Sequence, residues 1–189
     1  MGEHPVNGGG RRAARRAVFL DRDGVINRSD VRDGRPYAVR RAEDFELLPG
    51  VAEACERLRQ AGFLLVVATN QPDVTHGTLP LSELEEMHRR MCAALPIDRV
   101  EVCFDAAESD MKKPAPGMLL RAARELEIDL AGSFMVGDRW RDIDCGRAAG
   151  CVTVFIDHGY SEKLRSEPDY RVSNLLQAAS LILQITPHP

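Results

Sequence analysis

Asp21 and Asp23 stand two residues apart, just after the apolar run Ala17–Leu20. In an extended segment, positions i and i+2 point to the same side. Two carboxylates placed together repel, so a divalent cation or a shared proton must make the pair tolerable. Asp138, after the apolar run Ser133–Val136, offers a third carboxylate. Hard oxygen ligands of this kind suit Mg2+, which takes one or two protein carboxylates and keeps several waters. Lys113 adds a positive charge and Thr69 a hydroxyl donor. Together these parts suit phosphoryl transfer. One carboxylate attacks phosphorus, a second handles the proton, and the cation and lysine offset charge on the phosphoryl oxygens. Each residue also has a plainer use: Asp21 and Asp138 could cap turns, Thr69 could sit in a turn, and Lys113 could be a solvated charge.

The elements around these residues alternate. Ala17–Leu20, Phe63–Ala68, Val100–Phe104, Ser133–Val136 and Val152–Ile156 read as strands. Val51, Ala54, Cys55, Leu58 and Ala61 recur at helical spacing between Pro49-Gly50 and Gly62. Ser82 with Glu85 reads as a capping box ahead of the stripe Leu84, Met87 and Met91. Leu119, Ala122, Ala123 and Leu126 mark a helix opening near Pro116, Trp140–Ala149 another, and Leu175, Leu176, Ala179, Ile182 and Leu183 the last. Continuously apolar strands alternating with helices predict an α/β fold: a central parallel sheet with helices on both faces. Ligands then bind at the carboxyl ends of the strands. Asp21, Asp23, Thr69, Asn70, Lys112, Lys113 and Asp138 all follow strands, so they are expected to converge. The irregular stretch Asn27–Phe45 is too long for an idle loop and reads as a lid or specificity element.

The remaining composition narrows the class. At 189 residues, the chain suits one domain. With 44% hydrophobic and 29% charged residues, it has an ordinary globular balance. A net charge of −4 gives no general reason to expect nucleic acid or an anionic membrane as partner. No apolar run approaches the roughly 20 residues that span a bilayer. The four-residue run Ala17–Leu20 is too short for a signal peptide. Residues 1–16, rich in Gly and Arg, read as a disordered basic tail ahead of a domain at 17–186. Cys55, Cys92, Cys103, Cys145 and Cys151 are odd in number and irregularly spaced, which fits a reduced cytoplasmic protein.

The order and spacing of these residues resemble the haloacid-dehalogenase-like (HAD) superfamily. AVFLDRDG (17–24) matches its first motif, VVATN (66–70) its second, Lys113 its third-motif lysine and MVGDRWRD (135–142) its fourth. The resemblance implies an aspartyl-phosphate on Asp21 and a general acid, then base, in Asp23. It implies Mg2+ held by the side chains of Asp21 and Asp138 and by the backbone carbonyl of Asp23, with Asp142 in support. Transport ATPases carry a threonine where Asp23 stands, whereas phosphatases carry the aspartate. Asp21 to Thr69 spans 48 positions and Thr69 to Lys113 spans 44, which leaves no room for a cap domain.

Within the capless group, DFELLPGV (44–51), TNQ (69–71) and KPAPGMLL (113–120) resemble bacterial heptose bisphosphate phosphatases and the related histidinol-phosphatases. That likeness implies substrate contacts from Thr69, Asn70, Lys112, Lys113 and Arg139, with a sugar bisphosphate as partner and a monomeric enzyme. Lys112 replaces the arginine usual there and gives up bidentate contact with an oxyanion. The zinc loop common in these relatives is lost: CFDAAESDMKKP (103–114) keeps Cys103 alone as a credible ligand, so zinc is expected to be absent. Histidinol phosphate or another small metabolite, a nucleic-acid end, and a non-catalytic binding role stay open as alternatives.

Overall fold

The structure is a computed structural model that describes residues 15–186. Six parallel strands form one sheet in the order β5-β4-β1-β6-β7-β8. They are β1 (Ala17–Leu20), β4 (Leu64–Asn70), β5 (Arg99–Cys103), β6 (Phe134–Gly137), β7 (Val152–Ile156) and β8 (Tyr170–Val172). The helices are α1 (Val51–Gln60), α2 (Pro72–Thr75), α3 (Leu81–Ala94), α4 (Gly117–Leu126), α5 (Trp140–Ala149) and α6 (Leu175–Ile185).

The alternation of strand side chains divides the core in two. Val18, Leu20, Leu65, Val67, Val136 and Val154 pack with Ala54, Cys55 and Leu58 of α1 and Ala178, Ala179 and Ile182 of α6. Ala17, Phe19, Leu64, Val66, Ala68 and Met135 pack on the opposite face with Met118, Leu119 and Ala122 of α4 and Cys145 and Ala149 of α5. Both faces are covered, which is why these strands read as unbroken apolar runs.

Several elements depart from the sequence reading. Asn27–Phe45 is not irregular throughout. It holds an antiparallel hairpin, β2 (Asp30–Arg32) and β3 (Arg35–Tyr37), followed by a short 3-10 turn at Ala42–Asp44. The Ser82 capping box is absent: α3 begins at Leu81, and the N-cap is Pro80, extended and without a side-chain hydrogen bond. Ser82 therefore lies within the first turn. Glu83 instead accepts a hydrogen bond from the Ala42 backbone at 2.5 Å, tying α3 to the 3-10 turn. The expected tail mostly lies outside the described residues, but its last two residues belong to the domain. Arg15 bridges to Ile128, and the Arg16 carbonyl accepts from Leu64 N at 2.9 Å. No helix among the described residues is long and apolar enough to cross a membrane.

Candidate active site

The first motif sits where β1 meets the carboxyl edge of the sheet. Asp21 continues the strand, its N–H donating to the Val136 carbonyl at 3.0 Å, and the chain then turns sharply. The Arg22 carbonyl accepts from the N–H groups of Ile26 and Asn27. Gly24 takes φ +89°, and a Cβ there would lie 1.9 Å from an Asp138 carboxylate oxygen. Glycine is thus needed for both the turn and the close approach. This packing places the first and fourth motifs against each other.

Asp21, Asp138 and Asp142 are all buried, with a carboxylate oxygen from each within 4.8 Å of the others. Lys113 is 3% exposed, and its Nζ lies 2.7 Å from Asp21 Oδ1 and 2.6 Å from Asp142 Oδ1. Burial alone would lower the lysine pKa, but Asp142 and Asp21 outweigh it and hold the ammonium above its ordinary range. Asp142 also accepts from the Arg139 backbone N–H at 3.0 Å, half of a capping box at the start of α5. Among the described residues, both Asp138 carboxylate oxygens are buried without a hydrogen-bond partner. Burial and then the Asp21 charge push the Asp138 pKa well above the usual carboxylate range. Burial also raises Asp21 to about 6; Lys113 pulls against it, and Asp142 and Asp23 add to it.

Three buried carboxylates therefore face one ammonium. The excess is met by a proton, toward which the raised Asp138 pKa points, or by a cation. The donor set that the structure brings together, the carboxylates of Asp21, Asp138 and Asp142, is of the hard oxygen type that suits a divalent ion.

The other candidate residues are distributed unevenly around this centre. A pocket of about 80 Å³ is lined by Asp21, Asp23, Thr69, Asn70, Lys113 and Arg139, with Pro36, Tyr37 and Ala38 of the hairpin and Arg141 beside them. That is roughly the space of two or three waters, the scale of one phosphoryl group. Thr69 accepts from Gln71 Nε2 at 2.9 Å, which leaves its hydroxyl proton available to the pocket. Asn70 uses both ends of its amide on the Lys113 backbone, at 3.0 and 2.9 Å, and so fixes the lysine. Lys112 does not line this pocket. It borders a larger neighbouring cavity of about 720 Å³, with its Nζ 2.5 Å from the Ala106 carbonyl. Arg139 borders both spaces and is held by Glu162 at 2.8 Å through two nitrogens, a contact that raises its pKa.

Some participants escaped the sequence reading. Arg22 is fully buried and clasps the Asp23 carboxylate; Asn27 and Gln71 also donate to that carboxylate. No sequence pattern marked Arg22, which lies beyond the end of β1 in the turn where it meets Asp23. Arg141 and the hairpin residues Pro36–Ala38 reach the site through tertiary packing alone.

The fold and the ordered motifs are those of a HAD-like hydrolase. Residues 110–178 match the HAD-hydrolase-like family. The chain is 33% identical to the D-glycero-D-manno-heptose-1,7-bisphosphate 7-phosphatase of Thermosynechococcus vestitus, covering 89% of this chain and 95% of that one. It is 37% identical to the corresponding enzyme, D-glycero-beta-D-manno-heptose-1,7-bisphosphate 7-phosphatase, of Photorhabdus laumondii, over 88% and 89% of the two chains. The crystal structure of the D,D-heptose 1,7-bisphosphate phosphatase of B. bronchiseptica, complexed with magnesium and phosphate, superposes with a TM-score of 0.72. Identity there is 30%, with 89% of this chain and 98% of that chain covered. The chain therefore belongs to the HAD-like phosphatases, in the family that holds these heptose bisphosphate phosphatases.

Proposed function

We propose that the protein removes the 7-phosphate of a heptose 1,7-bisphosphate through an aspartyl-phosphate on Asp21. The observation that carries this reading is the buried Asp21 carboxylate, oriented by Lys113 beside Asp23 in a pocket of phosphoryl size. Asp21 Oδ attacks phosphorus as the bond to the leaving sugar oxygen breaks. Asp23 gives that oxygen a proton, and later takes one from the water that hydrolyses the acyl-phosphate. Lys113 and Thr69 face the phosphoryl oxygens, where charge must be offset throughout. Asp21, Asp138 and the Asp23 carbonyl would hold Mg2+, which supplies charge neutralisation when bound. Asn70 fixes Lys113, while Arg139 and Lys112 border the larger cavity beside the pocket, which suits the rest of the sugar. The names of the relatives support a heptose bisphosphate; histidinol phosphate is the second reading.

The loop that carries zinc in the resembled enzymes is stapled here by hydrogen bonds. Ser109 Oγ bonds Asp105 and accepts from the N–H groups of Met111 and Lys112. The proposal also takes the protein to be zinc-free and to act as a reduced cytoplasmic monomer without nucleic acid or membrane. The test is turnover by the full chain on heptose 1,7-bisphosphate, heptose 7-phosphate and histidinol phosphate, with Mg2+ or with excess chelator, after elemental analysis. The expected result is zinc-free protein, preference for the heptose bisphosphate and loss of activity on chelation. Preference for histidinol phosphate would overturn the substrate, and full turnover in chelator would overturn the metal.

A further inference from the structure

We infer that Arg22 and His88 form a positioning relay that sets the Asp23 carboxyl group from helix α3. Arg22 is completely buried, the largest side chain in the molecule to be so among the described residues. Its Nε lies 3.1 Å from Asp23 Oδ2, and one terminal nitrogen lies 2.8 Å from the same oxygen and 3.1 Å from Oδ1. Its other terminal nitrogen lies 3.3 Å from His88 Nε2. A guanidinium can only donate, so His88 Nε2 accepts and the imidazole proton sits on Nδ1. The order of contact is therefore α3, His88, Arg22, Asp23.

This arrangement does more than neutralise a buried charge. Asp23 is one of the carboxylates that border the catalytic pocket, with 13% of its side chain exposed. Asn27 and Gln71 hold its two oxygens from other sides at 3.0 and 3.1 Å. Two guanidinium nitrogens on Oδ2, one of them shared with Oδ1, restrict rotation of the carboxylate more than a single bond does. The guanidinium is itself aimed by what holds its third nitrogen. Without His88, that nitrogen has no acceptor, and the guanidinium is free to tilt toward another partner. The carboxyl group would then tilt with it, away from the leaving oxygen. His88 and Arg22 act through Asp23 and touch no substrate.

The inference rests on the proposed acid role of Asp23, and a leaving-group series tests the two separately. The substrates are glycerol 2-phosphate, phenyl phosphate and p-nitrophenyl phosphate. In the step that kcat/KM reports, the Asp21–phosphorus bond forms, the phosphorus–oxygen bond breaks and the departing alcohol takes the Asp23 proton. Glycerol is a poor leaving group and needs that proton; p-nitrophenolate leaves without it. General acid catalysis is typically worth about 10²–10⁴-fold, so a misplaced acid should cost about tenfold or more on glycerol 2-phosphate. His88→Leu is expected to lose that much there while keeping kcat/KM on p-nitrophenyl phosphate within about twofold. His88→Gln restores an acceptor for Arg22 and should recover most of the loss, with circular dichroism as the folding control. Equal losses across the series, or no loss, would overturn the relay. Asp23→Asn run alongside should show the same selectivity in larger measure. If Asp23→Asn instead loses equally on all three substrates, the acid assignment falls and the relay falls with it.

Discussion

Burial changes what each charged residue in this site can do. Asp138 has lost its water and found no donor, whereas Lys113 has lost its water and gained two carboxylates. The first must be satisfied by a proton or a cation; the second is a fixed charge that needs neither. His88 shows the same physics at a basic group. Burial and then the Arg22 charge push its pKa down to about 4, against a weaker upward pull from Asp23. An unfolded histidine titrates near 6.5. The folded value is the lower one, so on acidification the unfolded chain takes up the proton first. This contribution to stability is complete above about pH 6.5 and is lost as pH falls toward 4. The expected outcome is an imidazole that stays neutral until below pH 5 in an NMR titration of the folded protein. A midpoint above 6 would contradict the environment described for it.

The elements that carry the motifs were legible because they are buried on both sides. β1, β4, β6 and β7 have no polar alternation to blur them, and their ends locate Asp21, Thr69 and Asp138 within a residue or two. The hairpin was hidden for the opposite reason. β2 and β3 are three residues each, and five of their six residues are charged, aromatic or proline, largely exposed. Their place over the site depends on contacts from afar, such as Ser161 N donating to the Gly34 carbonyl at 2.9 Å. Strand β8 is equally short and was likewise unread. Among the candidate residues, Asp21, Asp23, Lys113 and Asp138 stood out by their order after strands, and Asp142 through the family resemblance. Arg22 and His88 are 66 positions apart, and no local pattern links them. The sheet itself offers a quantitative check. Leu65, fully buried between the sheet and α1 and α6, leaves a cavity when cut back to alanine. Leu65→Ala should lower unfolding stability by about 2–5 kcal/mol in denaturant titrations, as core truncations typically do. A loss below about 1 kcal/mol would mean that this face of the sheet is looser than its packing indicates.

At the scale of the molecule, the described residues present their candidate chemistry at one edge of the sheet. The carboxyl ends of β1, β4 and β6 converge there, and the hairpin lies beside them in place of a cap domain. A small pocket of about 80 Å³ opens beside a cavity of about 720 Å³, an arrangement that suits a phosphoryl group at the end of a larger polar molecule. The proposed reaction depends most on covalent capture of the phosphoryl group by Asp21. Borohydride reduces an aspartyl-phosphate to homoserine but leaves a free aspartate alone. The decisive measurement is therefore peptide mapping by mass spectrometry after turnover is quenched into borohydride. Homoserine at position 21, dependent on substrate and absent from Asp21→Asn, is the predicted result. Unmodified Asp21 under steady turnover, or homoserine at Asp23, Asp138 or Asp142 instead, would contradict it.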